Sequence, residues 1–539
     1  MTFRALQVGV FVAVAATTAC SNPSSQRQTA RPKLVVVIVV DQLRADYLER
    51  FRGRHEGGLR WLLDNGAYFQ EAAYRHAATV TATGHATVST GRHPSSHGIV
   101  GNSWRESDRG PVYCVRDDRY VAVGGPGEGA SPLALRTETL GDRLKKASAG
   151  SKVYAFSTKD RSAVLLAGLK ADGAFWFEPD CGCLITSSYY RARLPDWLAE
   201  FNGGPPAAAY AGETWSKLLD DDALYERMAR ADRFPTESDG ADTVFPHALP
   251  SVEFEGALAA TPFSDRITLD AATAALRSGE LGSDDDPDLL ALGLSATDSI
   301  GHRYGPFSQE AMDNHLRLDR ALGEFIQAVE ATVGLENTVF ALTADHGAVP
   351  LVEHLVAQGV AAERFDSEAF WARAELAIGE CGAGPASETV AQSNGRQLYW
   401  NETALRERGI DRDTAGTCVA DWLRGQDAVD TVMTAEQLAS GGTTGIASLF
   451  ENGYYEGRSP HVVLHLREYV HAGGPRGTGH GTAHEYDRDV PVLLAGAGIR
   501  PGTYPEPAGP EDIAPTLGVI LGLEQPIEPD TRILREALQ

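Results

Sequence analysis

Positive charge is in short supply. The 539-residue chain carries 48 Lys and Arg against 73 Asp and Glu, a formal net charge of −25 at pH 7. A general nucleic-acid binder needs a basic face to displace phosphate counterions, so this balance excludes that class of partner. It leaves room for a local cationic pocket around a small anion. The chain also lacks a G-x-y period and any heptad run, which removes the fibrous classes. Its 56 glycines and 28 prolines stay below low-complexity proportions, and 43 % hydrophobic residues supply ample material for a core. Length alone suggests roughly three to four domain-sized units, or one large domain carrying insertions.

Long apolar runs are confined to the N-terminus. Residues 2–19, TFRALQVGVFVAVAATTA, place Arg4 before an apolar stretch and small residues before Cys20, the pattern of a secretory signal. The stretch is short for a bilayer span and polar SNPSSQRQTARP follows it. Residues 1–20 are therefore expected to be a signal segment, 21–32 a flexible linker and 33–539 the catalytic domain. Thr18-Ala19-Cys20 resembles the end of a bacterial lipobox, so a lipid on Cys20 and plain cleavage are equally good expectations. Either way the chain is expected to be exported, to the bacterial periplasm or an outer-membrane anchor, with membrane contact only through that lipid. Cysteine is sparse too: beyond Cys20 there are Cys114, Cys181, Cys183, Cys381 and Cys418. An oxidising compartment would pair Cys381 with Cys418, and Cys114 with Cys181 or Cys183. The C-x-C has no second cysteine pair to complete a soft-metal site, which favours a disulfide partner plus a spare thiol.

Buried strand is plentiful. LVVVIVV at 34–40 is a continuous β-branched run ending in Asp41, and DLLALGLSATD (288–298) and TVFALTADHG (338–347) repeat the design. VPVLLAGAG (490–498) is a further buried strand, while residues 311–333 carry Leu316, Leu318, Leu322, Phe325 and Val329 at helical spacing. This alternation predicts an α/β fold with a mostly parallel central sheet flanked by helices on both faces. Two long regions, about 170–285 and 350–455, interrupt it and read as cap insertions. Asp284, Asp285 and Asp286 lack the glycine and ligand spacing of a calcium loop and read as a solvated turn.

Parallel sheets bind ligands beyond the carboxyl ends of their strands. That is where the polar residues cluster: Asp41, then Asp298 and His302 in TDSIGHRYG, then Asp345 and His346 in TADHG, with His480 in the glycine-rich GTGHG. Singly, each has an ordinary reading as a helix cap or a satisfied loop histidine. Together, three aspartates and three histidines make a donor set suited to zinc in pairs. In ATVTATGHATVSTGRHPSSHGIVGN (78–102), a helical stretch closed by Gly91 puts Thr81 at a helix N-terminus, a site that suits a phosphoryl group. A threonine hydroxyl needs a metal or base to become a nucleophile, and Asp41 with the Asp-His pair would hold one.

DQLRADYL, TVTATGH, STGRHPSSHGIVGN, STKDR, TDSIGH, TADHG and GTGHG, in this order, resemble the alkaline phosphatase superfamily. The similarity is to its secreted, zinc-dependent alkaline phosphatases with a threonine nucleophile, relatives of the nucleotide pyrophosphatase/phosphodiesterases. The resemblance implies two Zn2+ per chain, one on Asp298, His302 and His480, the other on Asp41, Asp345 and His346 with Thr81. The family nucleophile lies four residues before the histidine of T-x-x-x-H, here Thr81 and His85, and the family asparagine 21 residues later is Asn102. Where relatives place a proline two after the nucleophile, this chain has Thr83. Lys159 and Arg161 in STKDR match a lysine and arginine of the monoesterases that the diesterases lack. They follow the strand-like KVYAF, and two cations suit a doubly charged monoester. The implied reaction is hydrolysis of small phosphate monoesters through a phosphothreonine on Thr81, with Asn102, Lys159 and Arg161 on the phosphoryl oxygens. A diesterase with the same metals is the alternative, and a substrate-binding surface protein without activity a more distant one. The nucleophile region has no C-x-P-x-R or S-x-P-x-R, which argues against a sulfatase.

Overall fold

The computed structural model describes residues 1–2, 31–107, 109–237, 243–524 and 527–539. Cys20 and all but the first two residues of the expected signal segment lie outside these, as does most of the linker. No helix among the described residues is long and apolar enough to cross a membrane.

Among the described residues a ten-stranded sheet runs Gly502–Tyr504, Gly66–Phe69, Val492–Gly496, Thr338–Thr343, Leu34–Val40, Asp288–Leu294, Val153–Ser157, Gly173–Glu178, Cys183–Ser187, Ala122–Val123. The members from Thr338–Thr343 to Gly173–Glu178 are parallel to one another, and the antiparallel strands Val492–Gly496 and Cys183–Ser187 flank them. The mostly parallel sheet expected from the apolar runs is thus present.

All seven residues of Leu34–Val40 are buried because each faces a core. Val36, Ile38 and Val40 pack with Leu318, Leu322 and Phe325 of the helix Gln309–Thr332. Val35, Val37 and Val39 face the opposite layer, with Ala82 and Ala86 of the helix Thr81–Thr90 and Val164 of the helix Asp160–Ala167. Burying each such side chain contributes about 1.5–3 kcal/mol, which is why a run with no polar alternation is stable here and nowhere nearer water.

Register then places the chemistry. Val40 lies opposite Leu294 and Val39 opposite Thr343, and the Asp41 amide donates to the Leu294 carbonyl at 2.8 Å. Neighbouring strands therefore stop level with each other. Asp345 follows its strand by two residues, Asp298 by four, and Lys159 follows Ser157 by two. Four polar side chains leave adjacent strands at one edge.

The helix Thr81–Thr90 is buried along its whole length and ends at Gly91 (φ 67°). Its polar side chains are absorbed locally, Ser89 donating to Leu165 O at 2.8 Å and Thr90 to Ala86 O at 2.6 Å. It docks directly on the strand end bearing Asp345: a Cβ on Gly84 would sit 2.3 Å from Asp345 O and 2.5 Å from its Cβ.

The first expected insertion is shorter than the sequence suggests. Gly173–Glu178 and Cys183–Ser187 belong to the main sheet, and only the chain after them makes the excursion. It closes over the helical layer, where Asp313 accepts from Trp215 Nε1 at 2.7 Å and from the Tyr225 hydroxyl. The second insertion builds its own antiparallel sheet, Val390–Asn394, Gln397–Trp400, Val462–Leu466, Val429–Thr434. Its separate core contains Phe370, Trp371, Leu398 and Val419. That core needs Val462–Leu466, so the insertion reaches past residue 455.

Cys381 and Cys418 are paired, as expected. The other expected pair is not formed. Cys181 joins Cys183 across a turn at Gly182 (φ 59°), and Cys114 is a free thiol buried in the core layer. The left-handed glycine closes the local loop at a smaller entropic cost than a partner 67 residues away in sequence would carry. Asp284 and Asp285 are exposed, in keeping with a solvated turn.

Gly84→Ala should lower stability by about 2 kcal/mol or more, because the contact is backbone on backbone and cannot relax by a rotamer change. Denaturant unfolding of the variant against the parent checks this; an unchanged midpoint would contradict the docking.

Candidate active site

The aspartates predicted from the strand ends do converge. Among the described residues, two groups of ligand atoms each lie within 4.8 Å of one another: Asp41, Asp345 and His346, and Asp298, His346 and His480. His302, expected in the second set, stands beside it with Nε2 3.1 Å from Asp298 Oδ1, while His480 Nε2 is 3.7 Å from the same oxygen. The His346 and His480 rings stack with centroids 3.5 Å apart, which is how His346 comes to border both groups.

Each histidine is oriented by the main chain. His346 Nδ1 lies 2.9 Å from Gly347 O, His302 Nδ1 2.7 Å from Thr478 O, and His480 Nδ1 2.8 Å from Thr79 O. A carbonyl only accepts, so these rings donate from Nδ1 and, when neutral, present a lone pair at Nε2. The Nε2 atoms face carboxylates, which also only accept when ionised. Asp41 Oδ1, Asp345 Oδ2 and His346 Nε2 are buried with no hydrogen-bond partner among the described residues. Buried acceptors facing one another demand a cation, and three carboxylates with neutral imidazoles fit a divalent metal.

Lys159 supplies one positive charge. Its ammonium bonds Asp41 Oδ2 and lies 2.6 Å from Asp298 Oδ2. Burial opposes ionisation of Asp298, yet Lys159 and His302 outweigh it and hold its carboxyl well below the ordinary range. Asp41 goes the other way, pushed up to about 7 by burial and by the charges of Asp298 and Asp345. Asp298 raises His302 to about 9, whereas burial lowers His346 to about 4 and takes His480 well below its ordinary value. Lys159 and a protonated His302 both lean on Asp298, so Asp345 and one oxygen of Asp41 face the centre without a cation of their own.

Of the three threonines before His85, two have committed hydroxyls. Thr79 donates to Thr482 O at 2.8 Å, and Thr83 folds back on the carbonyls of Ala78 and Val80. Thr81 is buried at the first turn of its helix, and its hydroxyl has no partner among the described residues. His85 Nδ1 sits 2.9 Å from Thr81 O and 3.3 Å from Asp345 Oδ2, linking that turn to the carboxylates. Asn102 accepts from the Ala82 amide through Oδ1 at 2.8 Å, which leaves its side-chain amide as a donor beside Thr81.

Arg161 is held from behind. Tyr113 donates to Asp160 Oδ1 at 2.7 Å and accepts from Arg161 Nη1 at 3.3 Å. Neither Tyr113 nor Asp160 stands out in the sequence, because 47 positions separate them. Gln42 was likewise missed, although a polar residue directly after Asp41 was a usable signal. Its amide donates to Asp345 Oδ1 at 3.0 Å and its Nε2 to Asp298 Oδ1 at 2.8 Å. That bridge requires a left-handed backbone (φ 65°) at Gln42 and no side chain at Gly301, whose Cβ would fall 1.8 Å from Gln42 Oε1.

The chain matches the type I phosphodiesterase / nucleotide pyrophosphatase family model over residues 35–391. It is 33 % identical to alkaline phosphatase PafA of Elizabethkingia meningoseptica, over 92 % of each chain. It is 33 % identical to alkaline phosphatase PhoV of Synechococcus elongatus, over 96 % of this chain and 95 % of that one. The crystal structure of wild-type PafA superimposes with a TM-score of 0.88 at 32 % identity, covering 94 % of this chain and 99 % of that one.

Of His302, His346 and His480, only His302 has its pKa raised. With its pKa raised from an ordinary 6.5 to about 9, its ion pair with Asp298 stabilises the metal-free protein fully below pH 6.5 and fades as pH rises through 9. A metal bound through His302 would displace that proton, and its affinity should then climb roughly tenfold per pH unit between 7 and 9. Chelator competition with proton-release measurements checks this; a pH-independent affinity would contradict it.

Proposed function

The chain belongs to the type I phosphodiesterase / nucleotide pyrophosphatase family, and from that premise we propose that it is an exported alkaline phosphatase that hydrolyses small phosphate monoesters. The observation that carries this reading is Thr81. Its uncommitted hydroxyl stands at the N-terminus of a buried helix against two carboxylate-histidine clusters, with Asn102, Lys159 and Arg161 around it. The names of the PafA and PhoV relatives support the same activity.

The metal is zinc in this reading. Asp298, His302 and His480 would hold one ion, and Asp41, Asp345 and His346 with Thr81 the other. Carboxylate and neutral imidazole suit that ion. When bound, the pair supplies a depressed hydroxyl pKa and compensation for charge on the departing oxygen. The protein groups do the rest. Thr81 Oγ bonds to phosphorus as the ester P–O bond breaks, and the electron pair leaves with the alcohol oxygen. Water then cleaves the phosphothreonine, returning the hydroxyl and releasing phosphate. Asn102 Nδ2, the helix amides and Arg161 would bind equatorial oxygens, where charge collects in phosphoryl transfer. Gln42 and Tyr113 act through others, fixing the carboxylates and the guanidinium.

Lys159 and Arg161 favour the monoester, whose two charges reward two cations. Lys159 lies against Asp41 and Asp298, the carboxylates that would take up the cations in this reading. The family's name keeps a phosphodiesterase as the second reading. An exported protein with a possible lipid on Cys20 suits the disulfides at Cys181–Cys183 and Cys381–Cys418.

Thr81→Ala should remove turnover by about three orders of magnitude or more, as loss of a covalent nucleophile does. Lys159→Ala with Arg161→Ala should cost monoester kcat/KM at least about tenfold more than diester kcat/KM. Steady-state kinetics on p-nitrophenyl phosphate and bis-p-nitrophenyl phosphate, with and without chelator, decide both. Diester preference in the parent protein would sink the monoesterase reading.

A further inference from the structure

A cavity of about 260 Å3 opens beside the proposed nucleophile, between the helix entry and the inserted domain. Val80 and Asn102 border it on one side and Gly481, next to His480, on another; Arg396, Phe450 and Tyr454 come from the insertion. We propose that this cavity receives the leaving group and that Arg396 selects leaving groups carrying an anionic substituent such as a carboxylate. The inference rests on the monoesterase reading and specifies its substrate class.

Position is the first argument. In an in-line displacement the alcohol departs opposite Thr81 Oγ, toward the side bearing Asp298, His302 and His480. Arg396 stands at that side, its Nη2 3.3 Å from the His480 carbonyl. A Cβ on Gly481 (φ 95°) would lie 2.8 Å from the same nitrogen, so glycine is what lets the guanidinium approach. The tip of the hairpin Val390–Asn394/Gln397–Trp400 delivers Arg396, and the Leu464 amide fixes it by donating to its carbonyl at 2.9 Å.

Charge is the second. Arg396 forms no ion pair among the described residues, and its bond to a neutral carbonyl does not offset its charge. Burial pulls the guanidinium below its ordinary pKa, and Asp487 and Tyr486 oppose that only through space. Asp487 is itself pushed up to about 7 by burial, which weakens it as a counter-ion. A half-buried cation facing a cavity without a counter-ion gains most from an anionic ligand, and arginine binds carboxylate in two parallel hydrogen bonds.

Size and lining are the third. Drug-sized pockets run about 300–1,000 Å3, so this one suits a single ring with a short chain. Phe450 and Tyr454 provide aromatic surface for that ring.

The test compares para-(carboxyethyl)phenyl phosphate with para-propylphenyl phosphate, whose phenols are nearly equal in acidity and length. Wild-type protein should favour the carboxylate ester about tenfold in kcat/KM, the value of one charge-assisted contact. The preference should collapse toward one in Arg396→Met and survive in part in Arg396→Lys. A ratio near one in the wild type, or one that persists in Arg396→Met, overturns the inference. Calorimetric binding of the two free phenols to the zinc-loaded wild-type protein gives the same comparison without a substitution, and equal affinities overturn it as well. Failure of the underlying reading looks different: neither ester turns over, while the phenol comparison still decides Arg396.

Discussion

Repulsion among buried carboxylates governs this molecule. Asp41, Asp298 and Asp345 are driven together because their strands are neighbours in register and stop at one level. None can retreat without breaking a sheet whose central strand is buried on both faces. Everything nearby answers that repulsion. Lys159 bridges two of the carboxylates, Gln42 donates to two, His302 gains a proton affinity it would not otherwise have, and burial keeps His346 and His480 neutral with lone pairs pointing inward. The site is a place of stored electrostatic demand, and the fold is what prevents the demand from being relieved by movement.

The second constraint is steric. The helix carrying Thr81 approaches the Asp345 strand end at Gly84 closely enough that no side chain fits, and Gly301 clears a path for the Gln42 amide. These contacts convert the sheet's order into the helix's position. The motif T-x-x-G-H thus has two structural halves: glycine sets the distance, and histidine ties the first turn to the carboxylate.

Strand ends were legible because hydrophobicity and an abrupt aspartate are both local. LVVVIVV followed by Asp41 needs no tertiary information to be read as a buried strand and its carboxyl end, and Leu316 to Val329 show their helix by spacing alone. Thr81 could be placed at a helix start and singled out by its spacing from His85, but the reason Thr79 and Thr83 are committed elsewhere lies in carbonyls of Thr482, Ala78 and Val80, which sequence does not place. Tyr113 and Asp160 are invisible for the same reason: a hydrogen bond between residues 47 apart has no periodicity. Cys381 with Cys418 was legible, but the pairing expected for Cys114 failed, because a left-handed Gly182 lets Cys181 and Cys183 close on each other. The insertion boundary slipped where strands Gly173–Glu178 and Cys183–Ser187 looked like cap because they lie at the sheet's far side, away from the aspartates.

The histidines are aimed by peptide carbonyls of Thr79, Gly347 and Thr478. Carbonyls are common to every residue type, so no single codon change in those positions deletes the acceptor that sets each ring. The inner donors of this centre are thereby insulated from drift in their surroundings. Lineages sharing the fold are free to rewrite the neighbouring side chains, and with them substrate preference, without first having to rebuild the ring geometry.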